Sequence, residues 1–169
     1  MIEKKILPTA HSTIDADSLG QLINKLYDFN KDLVCELLHR GMNDFYLLRS
    51  KERLFVAQVW RPNTKNKYDL NRQMEFLTYL YKSGIRVPIP QKNLSNEWVF
   101  SFQSMEGKRF ACVFNFVGGE VFSKNPSESV SKNMGVIFGK LHNFSESFGV
   151  NINDKKIKRD ENILNSLAY

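Results

Sequence analysis

Leu33-Val34-Cys35-Glu36-Leu37-Leu38-His39-Arg40-Gly41-Met42-Asn43-Asp44-Phe45-Tyr46-Leu47-Leu48-Arg49-Ser50-Lys51-Glu52-Arg53-Leu54-Phe55-Val56-Ala57-Gln58-Val59-Trp60 decides the fold. Residues 33–38, 45–49 and 54–60 are short runs of apolar, β-branched and aromatic residues, the composition that packs well on a pleated surface. Between the first two lies Arg40-Gly41-Met42-Asn43-Asp44, whose Gly, Asn and Asp tolerate the backbone angles of a tight turn. Ser50-Lys51-Glu52-Arg53 is a polar turn between the second and third. Three short strands joined by tight turns predict an antiparallel meander.

Upstream, Asp15 stands where a helix N-cap belongs, and its carboxylate can accept the free amides of a first turn. Leu19, Leu22, Ile23, Leu26 and Tyr27 follow at helical spacing, which predicts an amphipathic helix over 16–28. Downstream, Arg61-Pro62-Asn63 breaks the strand pattern. Leu70, Met74, Leu77, Leu80 and Tyr81 then predict a second helix over 67–83, with Gly84 as its C-terminal stop. Val87-Pro88-Ile89-Pro90 is restricted to extended backbone by its prolines. Two more strands are expected at 97–102 and 110–116, turned by Ser104-Met105-Glu106-Gly107-Lys108. Gly118-Gly119 loosens the chain. Asn125-Pro126-Ser127-Glu128 reads as a helix start, with Asn125 as cap, and the helix is expected over 126–146. A short periodic run at Ile163, Leu164 and Leu167 closes a polar tail.

The fold class is therefore α+β, a five-stranded antiparallel sheet with one helix inserted between the third and fourth strands. Apolar residues make up 42% of the 169 and charged residues 25%, enough for a packed core. No apolar run approaches the roughly 18 residues of a membrane span, and the charged start Met1-Ile2-Glu3-Lys4-Lys5-Ile6 lacks the apolar core of a signal peptide, so a cytoplasmic protein without membrane contact is expected. Cys35 and Cys112 both sit in apolar runs, as buried free thiols do, and a disulfide between them stays open. The net charge of +6 raises the question of nucleic acid. The basic residues are dispersed among acidic ones, however, and the densest cluster, Lys155-Lys156-Ile157-Lys158-Arg159, runs straight into Asp160-Glu161. A solvated face is the expectation, with no nucleic-acid partner. No histidine or cysteine spacing suggests zinc, and there is no Walker-type phosphate loop.

Five segments in order carry a resemblance. They are Leu38–Leu47 with its Gly-x-Asn turn, Phe55–Arg61, Gln73–Leu80 with Gly84–Pro90, Phe114-Asn115-Phe116-Val117-Gly118-Gly119, and Gly135–His142 with its closing Leu-His. Over residues 12–148 the chain resembles the aminoglycoside phosphotransferase-like kinases, which act on small hydroxylated molecules. The resemblance implies a protein-kinase-like small lobe over 1–117 that binds ATP. It implies a hinge and the helical beginning of a larger lobe over 118–169. It places Gly41 and Asn43 over the nucleotide phosphates, and the backbone of Asn115 and Val117 against an adenine edge. ATP with Mg is the implied cofactor.

Two departures qualify that resemblance. Kinases of this kind hold the phosphates with a basic residue on the third strand, itself fixed by a helix carboxylate. Here the matching positions are Gln58 and Gln73, both neutral; Glu75, two residues on and about 200° round the helix, is expected to face elsewhere, and Arg61 or Lys65 are nearby sources of charge. The chemistry also needs an aspartate to take the acceptor's proton, and an asparagine and an aspartate for magnesium. In the family these lie well past the Leu-His helix, and 27 residues follow His142. Asp160-Glu161-Asn162-Ile163-Leu164-Asn165 has the Asp-to-Asn spacing of a catalytic loop, but Lys158 stands where a histidine is expected. The expectation is a chain truncated before its catalytic residues and inactive alone, with no catalytic or metal-binding residue to name. The alternative is a non-catalytic kinase-like module. A small-molecule substrate is implied if a complementary lobe exists, and a homodimer or partner protein at the uncovered seam is the other expectation.

Overall fold

The computed structural model describes residues 12–29, 32–51, 53–119 and 126–150. The chain divides into two compact units at Gly119. The first contains α1 (Ala16–Tyr27), β1 (Val34–Arg40), β2 (Asp44–Ser50), β3 (Arg53–Val59), α2 (Lys67–Lys82), β4 (Pro90–Gln91), β5 (Val99–Ser104) and β6 (Gly107–Asn115). The second contains α3 (Glu128–Val150). The sheet is antiparallel throughout, in the order β1-β2-β3-β6, and the far side of β6 pairs with β5 at one end and β4 at the other.

Six strands stand where five are expected. The extra one is β4, two residues in which Pro90 and Gln91 pair with Phe114 and Val113. Pro90 has no amide to give, so this strand occupies an edge, where a missing donor costs little. The remaining elements lie within a few residues of their expected bounds. Asp15 caps α1 by accepting the Ser18 amide at 2.8 Å. Gly84, at φ +81°, ends α2. Its amide bonds to Tyr81 O and that of Ile85 to Leu80 O, so two orphan carbonyls are closed. Ser127 Oγ stands at the start of α3 and accepts from Val130 N at 3.4 Å. Asn125 lies outside the described residues, as do the 155–159 basic cluster, the 160–165 motif and the run at 163–167.

Period-two alternation gives the sheet two apolar faces. Cys35, Tyr46, Leu48, Phe55, Ala57, Val59, Ala111 and Val113 point to one, where Leu19, Ile23 and Tyr27 of α1 bury them. Cys112, Val99 and Phe114 point to the other, with Trp60, beneath Leu70 and Met74 of α2. Each fully buried Leu or Ile contributes about 1.5–3 kcal/mol through area removed from water. Helix α1 comes very close to β1, because an added Cβ at Gly20 would sit 2.8 Å from Cys35 Cβ. Cβ atoms cannot swing aside, so Gly20→Val is expected to cost about 1–3 kcal/mol by overpacking. The better helix propensity of valine offsets less than about 1 kcal/mol of that. A lowered urea midpoint with unchanged slope checks it.

Both cysteines are free and buried. Burial pushes the Cys35 thiol up to about 12, with Asp17, Asp15 and Glu36 adding to the effect. Burial raises that of Cys112 further still. Neither thiol is poised as a nucleophile at neutral pH.

Candidate functional site

On the α2 face the helix covers only part of the sheet. Beside it lies a cleft of about 300 Å³. Its floor is Phe45 from β2, Val56 and Gln58 from β3 and Phe114 from β6, with Leu38 of β1 at the rim. Leu77 of α2 and Pro88 form one wall, and Asn115, Phe116 and Val117 the other. Eight of these ten residues are apolar and none is a carboxylate. An apolar cleft with a few polar groups at one margin is the form of a small-molecule site.

The expected site residues separate into three groups. Gln58, Asn115 and Val117 line the cleft. Gly41 and Asn43 lie in the turn between β1 and β2, whose flanking residues Leu38 and Phe45 reach the cleft. Gln73 stands apart. Helix α2 turns Leu70 and Met74 into the sheet, and Met74 Sδ lies 3.3 Å from Cys112 Sγ, directly beside Gln58 in register. Residue 73 is then about 100° round the helix from 74 and is exposed. Glu75 pairs with Arg72 on the same helix.

Asn115 closes the cleft margin in a way its sequence position does not announce. Its amide donates to Ile89 O at 3.1 Å. Its Oδ1 accepts the Ile89 amide. The next residue, Phe116, donates to Leu54 O at 3.1 Å. The segment leaving the sheet is thus tied on both sides before Val117, and the backbone at 115–117 is held in one place at the cleft edge.

The β1–β2 turn is also held. Gly41 N–H donates to Asn43 O at 3.1 Å, so this amide is used within the turn. Arg61, just past the end of β3, donates from Nη2 to the Gly41 carbonyl. A bulge in β1 intervenes here: Leu37 pairs with Tyr46, but His39 pairs with Phe45, and Leu38 is the extra residue. Without it His39 would share the α1 face with Cys35. With it, His39 falls in the cross-strand row of Phe45 and Gln58 on the cleft side. In the sequence Arg61 is only a nearby charge, and the cleft-side facing of His39 is not legible, because a bulge leaves no periodic signal.

The six-stranded sheet flanked by α1 and α2 has the fold of the N-terminal lobe of aminoglycoside phosphotransferase-like kinases. Three solved structures share it. A microcompartment-associated aminopropanol kinase matches at TM-score 0.55 and 20% identity, over 62% of this chain and 33% of that one. An amicoumacin kinase in complex with AMP-PNP and Ca2+ matches at TM-score 0.56 and 16% identity, over 66% and 34%. A spectinomycin phosphotransferase in complex with ADP and spectinomycin matches at TM-score 0.57 and 17% identity, over 86% and 43%. Among curated relatives, an uncharacterized protein of Synechocystis sp. is 23% identical over 141 residues, covering 83% of this chain. One of Deinococcus radiodurans is 25% identical over 122 residues, covering 72%. The chain spans 39% and 35% of the length of these two relatives. No family model matches the chain. Among the described residues no helix is long and apolar enough to cross a membrane.

Proposed function

We propose that this chain is the nucleotide-binding part of an ATP-dependent kinase acting on a small-molecule hydroxyl. The observation that carries the proposal is the apolar cleft of about 300 Å³ with backbone polar groups fixed at one margin. An adenine ring suits it. Val56 and Phe114 would contact the ring from the sheet, and Leu77 and Pro88 from α2 and the loop after it. The Asn115 amide is already bonded to Ile89 O. The Asn115 carbonyl and the Val117 backbone are therefore the polar groups this margin would offer to the base edge. When bound, ATP supplies the phosphoryl group, and these residues orient the base and exclude water from its faces.

Magnesium fits less well. Among the described residues no three His, Cys, Asp or Glu side chains gather where they could hold a metal. The carboxylates that bind metal and accept the acceptor's proton would come from outside the described residues. A second reading, a non-catalytic nucleotide-binding or protein-binding module that pairs with a copy of itself or with another protein, is favoured by the neutral Gln58 on β3. Calorimetry with ATP tests the nucleotide site that the kinase reading requires. Saturable one-to-one binding that tightens on Gln58→Lys supports the kinase reading. Absence of binding in both chains overturns it and leaves the protein-binding module.

A further inference from the structure

The cleft is lined by neutral groups. Among the described residues none that lines it carries a charge, and two have a polar side chain, Gln58 and Asn115. Asn115 turns its carboxamide to the loop before β4, where its Oδ1 accepts the Ile89 amide. Gln58 is half-buried on the floor, and its carboxamide has no hydrogen-bond partner among the described residues. The register sets the separation of these two ends. Asn115 stands opposite Phe55, and Gln58 lies three residues further along β3, opposite Cys112. Three residues of strand span about 10 Å. A base whose edge meets the backbone at 115–117 therefore brings its sugar to the row of Gln58 and carries its outer phosphates past it.

We infer that this cleft grips the nucleoside part of its ligand and takes no affinity from the phosphates, with Gln58 hydrogen-bonded to the sugar hydroxyls. The inference rests on the nucleotide reading of the cleft and assigns the part of the nucleotide that is recognised. A carboxamide offers an NH2 that donates and an oxygen that accepts. Neighbouring ribose hydroxyls both donate and accept, so they use both ends of it. Phosphate oxygens only accept. They can use the NH2, but they meet Oε1 with like partial charge. A neutral donor also returns less than a charged one, and the phosphate must give up water to reach it. ATP bound here leaves its outer phosphates to groups outside the described residues.

The test titrates adenine, adenosine and metal-free ATP calorimetrically into the 169-residue chain and its variants. Adenine reads the base cleft, adenosine adds the sugar, and ATP adds the phosphates. The expected wild-type result is adenosine about tenfold tighter than adenine, the scale of one or two neutral hydrogen bonds, and ATP within about threefold of adenosine. Gln58→Met keeps the length of the side chain and removes its hydrogen-bonding atoms. It should bring adenosine down to the adenine level while adenine binds as before, and the unchanged adenine affinity is the control for folding. Gln58→Glu keeps an acceptor and adds a negative charge. It should still bind adenosine tighter than adenine, and bind ATP about tenfold more weakly than adenosine. If Gln58→Met unfolds the chain, the Gln58→Glu ratios carry the test. Wild-type ATP about tenfold or more tighter than adenosine overturns the inference, because the chain then holds the phosphates, and leaves the base cleft standing. Ratios unchanged in both variants overturn the role of Gln58. If none of the three ligands binds the wild type, the nucleotide reading falls and this inference falls with it.

Discussion

Arg109→Met is expected to lower the stability of the chain by about 3–5 kcal/mol, the scale measured when one partner of a buried ion pair is removed. Arg109 is 1% exposed and Asp44 3%. Its Nη1 lies 3.5 Å from Asp44 Oδ2. Its Nη2 donates to Glu106 Oε2 at 2.5 Å and to Ser12 O at 2.8 Å. Methionine fills the stem's space but leaves the Asp44 carboxylate buried without its cation. Against the usual 5–15 kcal/mol for a domain, that is a large share. Arg109→Met with Asp44→Asn should recover part of the loss, because the stranded charge is then gone. Urea unfolding of the two variants checks both statements. The same cluster predicts an acid limb. The hydrogen bond from Arg109 holds the Glu106 carboxyl below its ordinary 4.5. A carboxylate favoured in the folded state contributes its full stability above the unfolded value. That contribution is lost as pH falls through the lowered folded value. The midpoint should therefore decline below about pH 4.5 in the wild type and decline less in Glu106→Gln.

Val56→Trp should abolish nucleotide binding while leaving the fold in place. Val56 is half-buried, lies on the cleft floor, and pairs in register with Leu47 on one side and Phe114 on the other. An indole there projects into the cleft of about 300 Å³, where the base would sit. Tryptophan is as good a strand residue as valine, so the ladder survives. The expected loss of adenosine affinity is about a hundredfold or more, about 2.7 kcal/mol, with the thermal midpoint changed by only a few degrees. An unchanged affinity would place the ligand elsewhere.

Much of this architecture is legible in the residues because it is local. The Asp15 cap, the 3.6-residue spacing from Leu19 to Tyr27 and the Gly84 stop each depend on neighbours within one or two turns. What the sequence conceals is set by residues far apart. Asp44 reads as the last polar residue of a turn, yet it opens β2 as a buried ion partner of Arg109, 65 positions on. Val87-Pro88-Ile89-Pro90 reads only as extended backbone, yet Pro90 and Gln91 pair with β6. In the site, Gln58, Asn115 and Val117 come to one cleft because β3 and β6 are neighbours in the sheet. Gln73 is not among the lining residues and is exposed on α2, whose buried side carries Leu70 and Met74. The bulge at Leu38 breaks the alternation on which strand reading depends, so the facing of His39 becomes visible only in the register.

Amide correlation spectra of the isotopically labelled chain, recorded during an adenosine titration, test the central claim most directly. The account predicts saturable shifts concentrated at Val56, Gln58, Leu77, Asn115 and Val117, with the α1 face silent. Shifts that fail to appear, or that gather on the α1 face, would contradict it.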